Sequence, residues 1–168
     1  MDRVQEQHER AVGDAFVDWY NKLHGAAYQY YGRGAEPPDL VYTFGTAELL
    51  IEVTGSYYDA EQATMLWQNA RAITDAPDFW ICKSPDQKLV DNITMRLEKK
   101  SSKVYPSGCV LVVEVTPDVT TAEEFVDLMS AIHVPARNPF AGIYVGGCFQ
   151  RSKSGRASGY FWWRLLSA

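Results

Sequence analysis

Several absences narrow this chain before any motif is considered. It holds three cysteines, Cys82, Cys109 and Cys148, odd in number and widely spaced, so neither a disulfide framework nor a zinc knuckle is indicated. The three histidines, His8, His24 and His133, form no HxxxH or HExxH spacing, which excludes the zinc-hydrolase helix and leaves each as an ordinary structural or surface side chain. No apolar run approaches the ~20 residues needed to span a bilayer. The opening MDRVQEQHER is charged and unlike a signal peptide, so the expected compartment is cytoplasmic. No internal repeat is visible. Positive charge is also short, since the net charge is −5 where nucleic-acid-binding proteins usually show a basic footprint.

The 168 residues, 46% of them hydrophobic, suit a single domain over 1–168 with a core of its own. The acidic average hides an asymmetry. Residues 1–80 carry 13 acids against 5 bases, and residues 81–168 carry 8 against 11. The bases gather at Arg96, Lys99, Lys100 and Lys103 and again at Arg151, Lys153, Arg156 and Arg164. Such a half could face phosphates; equally, lysines at the end of a helix are favoured by its dipole.

From Val4 to Leu23 apolar residues recur at helical spacing, with Val12, Phe16, Trp19 and Leu23 in one stripe. Glu9 lies about 80° from the centre of that stripe and Glu6 about 140° away, so Glu9 is the acid able to reach inward. AAYQYYG offers a first short strand, whose Tyr28, Tyr30 and Tyr31 either stack on bases or pack at the core's edge. Asp59 is placed to cap a helix running to about Thr74, with Gln62 as the capping-box partner and Ala63, Leu66, Trp67, Ala70 and Ile73 as its apolar stripe. Phe79 to Cys82 suits a short strand, and Pro85 to Lys100 a helix with Leu89, Ile93 and Leu97 inward. CVLVVEV is a continuous apolar run, the mark of a strand buried on both faces. Thr120 or Thr121 caps a helix completed by Glu123 or Glu124. Ala141 to Gly147 and Tyr160 to Leu166 add two strands. The sum is an α/β or α+β, three-layer plan around a mixed sheet of five or six strands.

The chemistry concentrates in PDLVYTFGTAELLIEVT, residues 38–54. Leu40 to Phe44 and Glu48 to Val53 suit two strands, and Gly45-Thr46 offers glycine at the first central position of a type II′ loop. If Phe44 and Ala47 flank that loop, Val41 faces Leu50 and Asp39 lies opposite Glu52. Two carboxylates with Cβ atoms ~5 Å apart repel unless something compensates. A divalent hard cation such as Mg²⁺ would do so, or the pair is splayed and screened at a sheet edge.

Pro38-Asp39, a turn, and then Glu52-Val53-Thr54 inside an apolar strand resembles the signature of the PD-(D/E)XK nuclease superfamily. The resemblance covers about seventeen residues strictly, and more loosely the preceding helix and the later alternation of elements. It implies a restriction-endonuclease-like core, in which a helix precedes three antiparallel strands and a helix and strand follow. It implies further that Asp39 and Glu52 bind Mg²⁺ or Mn²⁺ for phosphodiester hydrolysis of nucleic acid, DNA or RNA. Glu9 stands where many members carry a supporting glutamate on the helix before the sheet. Gln62 or Arg71, on the margins of the stripe, would by angle be the polar helix residue near the metal, whereas Gln68 points away and joins them by sequence alone. Thr54 departs from the family, which has lysine there to position or activate the attacking water. Threonine is left to orient water, and Lys83, Lys99 or Lys100 is left to reach in from elsewhere. A weak or degenerate nuclease is one outcome of that loss, and a nuclease-like binding or assembly module that no longer cuts is the other.

Overall fold

The computed structural model describes residues 3–35, 37–73, 81–116, 119–149 and 159–166. In chain order these form α1 (Arg3–His24), β1 (Gln29–Arg33), β2 (Leu40–Phe44), β3 (Ala47–Ser56), α2 (Ala60–Ala70), α3 (Pro85–Ser101), β4 (Val110–Val115), α4 (Ala122–Leu128) with a 3-10 turn Met129–Ala131, β5 (Gly142–Phe149) and β6 (Gly159–Leu166). The six strands make one mixed sheet in the order β1-β2-β3-β4-β5-β6. β1, β2 and β3 form an antiparallel meander, β3, β4 and β5 run parallel, and β6 returns antiparallel to β5.

The hairpin sets the register of this sheet. Gly45 carries a φ of 60°, the left-handed value that glycine adopts without a Cβ clash, and the loop closes with Phe44 paired to Ala47 and Val41 to Leu50. The expected pairing is therefore the observed one.

Helices cover both faces of the sheet. On one, Val12, Phe16 and Val17 of α1 pack on Leu40, Tyr42, Ile51, Val112 and Trp162. Gly13 lets α1 come this close, because a Cβ there would overlap Leu40 Cδ1 and stand 2.7 Å from the Tyr42 hydroxyl. On the other face Leu89, Ile93 and Leu97 of α3 join Phe125 of α4 over Leu111, Val113, Ile143 and Val145. β4 is buried along its whole length, as a central parallel strand covered on both faces should be. Thr121 caps α4 through a complete capping box with Glu124.

Some expectations fail, each for a physical reason. Leu23 is 59% exposed, since α1 runs past the end of its contact with the sheet. Gln62 Oε1 accepts from the Tyr58 N–H at 2.8 Å, one residue ahead of the expected cap, while Asp59 caps the Gln62 N–H at 2.9 Å. The stripe drawn along α2 stays largely outside the core. Gln62 is the buried residue of that helix, and Ala70 and Ile73 are exposed, because α2 lies at the margin of the sheet. α2 ends at Ala70 with Arg71 as its C-cap, and Thr74 lies outside the described residues. Of the strand expected over Phe79 to Cys82, Phe79 and Trp80 also lie outside them, and Ile81 and Cys82 belong to no strand.

Candidate functional site

The hairpin delivers Asp39 and Glu52 to each other. Asp39 directly precedes β2, its carbonyl accepting from the Gly34 N–H at 3.1 Å. The pairing of Leu40 with Ile51 sets it opposite Glu52. Both are buried, at 9% and 6% exposure, and both line one cavity of about 240 Å³ with Tyr105. Asp39 Oδ2 accepts from the Val53 N–H at 2.8 Å, which ties that carboxylate to β3. Glu52 Oε1 accepts from Lys100 Nζ at 2.6 Å and from the Tyr105 hydroxyl at 3.3 Å. That ammonium comes from the last turn of α3. Lys83 and Lys99 are exposed.

These surroundings leave Asp39 short of positive charge. Burial pushes its carboxyl up to about 6, with Glu52 and Glu9 adding to the rise, and the Val53 N–H and Lys100 working against it. Burial, followed by the charge of Glu52, pushes the nearby Cys109 thiol up to about 12, which keeps it protonated and unreactive.

A second cleft, of about 220 Å³, opens where β3 and β4 end, and Asp39, Thr54 and Lys100 line it together with Glu9 and His8. Asp39 is common to both cavities. Glu9 points inward as the helical wheel requires, only 8% exposed, and is held by Gln5 Nε2 at 3.0 Å and Arg33 Nη1 at 3.1 Å. Among the described residues no group of three or more His, Cys, Asp or Glu is arranged to hold a metal ion.

The three polar candidates on or beside α2 fall elsewhere. Gln62 is locked to Tyr58 and, at 3.4 Å, to the Thr116 carbonyl. Arg71 lays its guanidinium 5.2 Å from the Trp67 ring centre, and Gln68 lines an open groove with Arg71. None of the three lines either cavity that holds Asp39.

Sequence reasoning missed a pair. His8, expected to be an ordinary histidine, places Nε2 2.6 Å from Glu114 Oε2, with its ring 5.3 Å from that of Trp67. The Glu114 hydrogen bond raises the imidazole pKa most, burial opposes it, and the charges of Glu114 and Glu9 add to the rise. Glu114 is 8% exposed and sits in β4 between Gly55 of β3 and Gly146 of β5. It is the one charged residue in CVLVVEV. An acid inside a buried strand needs a partner, and that was the available signal.

Neither family models, curated proteins nor solved structures contain a match to this chain. Among the described residues no helix is long and apolar enough to cross a membrane.

Proposed function

We propose that this chain is a metal-dependent phosphodiesterase acting on nucleic acid, with Lys100 in the role that the PD-(D/E)XK pattern gives to a lysine at position 54. The observation that carries the proposal is the 2.6 Å contact between Lys100 Nζ and Glu52 Oε1. The element order supports it as well, since α1 precedes three antiparallel strands and α3 leads into the parallel strand β4.

Asp39 and Glu52 are the residues that would hold Mg²⁺ or Mn²⁺, and the raised pKa of Asp39 marks a carboxyl that a nearby cation would relieve. Such an ion supplies Lewis-acid stabilisation of the phosphate and a hydroxide nucleophile at neutral pH. The protein's own groups do the positioning. The Val53 N–H fixes the Asp39 carboxylate. Lys100, 17% exposed in its side chain, holds an ammonium in a largely dry site, where a fixed charge acts more strongly on developing negative charge than it would in water. A second reading, a nuclease-like binding or assembly module that no longer cuts, is favoured by Arg33 and Lys100, which already pair with Glu9 and Glu52.

The test is cleavage of single- and double-stranded DNA and RNA with Mg²⁺, with Mn²⁺ and with chelator. Wild type should cut only with metal. Asp39→Ala should abolish cutting and Lys100→Met should slow it ~10²-fold or more. Adding Thr54→Lys to Lys100→Met should recover part of the loss. Cutting that survives chelation or Asp39→Ala overturns the mechanism, and no cutting by any variant favours the module.

A further inference from the structure

We propose that His8, held by Glu114, is the acid that protonates the leaving oxygen, a role that rests on the hydrolysis proposed above. Three observations carry it. His8 and Glu114 line the same cleft as Asp39 and Lys100. The strand register places Glu114 beyond the point where Asp39 is anchored. Asp39 is tied at the Val53 N–H, Val53 pairs with Val112, and Glu114 stands two residues beyond, about 7 Å further along the strands. An offset of that size leaves room for a phosphoryl group between the anchored Asp39 carboxylate and the imidazole that Glu114 holds, as an in-line displacement requires. Finally, Glu114 places an acid near the end of an otherwise apolar core strand. The cost of such a buried charge is understandable if it orients a functional imidazole and favours its protonated form, as its hydrogen bond to His8 does.

In the reaction, the phosphorus bond to the leaving oxygen breaks with its electron pair on that oxygen, which takes the Nδ1 proton of His8 while Glu114 holds Nε2. The attacking water forms the new bond to phosphorus and loses a proton to solvent, from which His8 is reprotonated. Glu114 touches no reacting atom and acts as a positioning residue. Glu9 on the same helix, Tyr57 and Lys100 share the cleft and set the local field around the imidazole.

The role is separable from a structural one by changing the leaving group. A bridging phosphorothiolate in the scissile linkage leaves as a thiolate, which needs no proton. With Mg²⁺ present, wild type should cut both the ordinary and the sulfur-bridged oligonucleotide. His8→Ala should lose ~10²- to 10⁴-fold on the ordinary linkage, the range for a general acid, and stay within about threefold of wild type on the sulfur linkage by the same logic. Glu114→Gln should show the same split, smaller in size. A His8→Ala protein with a native circular dichroism spectrum that keeps both activities, or loses both equally, overturns the proposal. Wild type that cuts neither linkage overturns the hydrolytic function itself and this acid with it.

Discussion

The Lys100–Glu52 pair can be tested without any substrate, through stability. Both side chains are largely buried, 17% and 8% exposed, with 2.6 Å between Nζ and Oε1. Replacing Lys100 by methionine keeps most of the side-chain volume but strands the Glu52 carboxylate beside Asp39. Breaking a fully buried pair costs ~3–5 kcal/mol, and allowing for the residual exposure of Lys100 the expectation is ~3 kcal/mol. In a domain of this size that lowers Tm by ~6–12 °C. Glu52→Gln should be destabilising for the mirror reason, since it leaves a largely buried ammonium without its counter-charge. The double variant removes both charges together and should recover much of the loss, giving a coupling above ~1 kcal/mol in a double-mutant cycle. Urea and thermal melts of the four proteins in chelator measure it directly. Additivity within ~0.5 kcal/mol would show that the two charges do not depend on each other, and the relocated lysine would lose its foundation.

Two further expectations concern neighbouring groups. Asp39 has a folded-state pKa of about 6, above the unfolded ~3.9, so the folded protein holds that proton more tightly. Its stabilising contribution is complete below about pH 4 and is lost as pH rises through about 6, by ~3 kcal/mol in all. Asp39→Asn keeps an acceptor for Val53 and cannot ionise, so its stability relative to wild type should climb across that window in denaturant melts at pH 4 to 7; a difference that is flat with pH refutes the assignment. Thr121→Ala removes the side chain that accepts the Glu124 N–H and should cost ~1 kcal/mol in the same melts. An unchanged midpoint would mean that α4 is held by Phe125 alone.

Much of the fold was legible because it rests on local or short-range rules. Leu89, Ile93 and Leu97 are all fully buried, and their helical spacing needed no knowledge of what they pack against. Gly45 fixed the turn, the turn fixed the pairing, and the pairing brought Asp39 to Glu52. α2 shows the limit of that logic. Its stripe has the right period, but periodicity only says that one side is less polar, not that anything covers it. Half-buried Leu66 and Trp67 satisfy the same pattern as the fully buried face of α3.

The site divides along the same line. Asp39 and Glu52 are joined by a two-residue turn, so their meeting could be read from the chain. Lys100 meets Glu52 across 48 positions, and His8 meets Glu114 across 106; no spacing rule reaches that far. Lys99, Lys100 and Lys103 also look alike in sequence, since each suits the dipole at the end of α3. What separates Lys100 from Lys99 is its angular position on the helix, and Lys103 lies beyond the last residue of α3. Leu97 is fully buried, and a residue three further on lies on nearly the same face, so Lys100 is carried toward the sheet while Lys99 stays exposed. A motif specifies an order of residues along one strand, whereas charge stabilisation needs only an ammonium at one point in space. A four-carbon side chain on an adjoining helix satisfies that need as well as one on β3. Under the proposed function, threonine at 54 therefore does not decide whether an ammonium reaches Glu52, whereas the distance from Lys100 does.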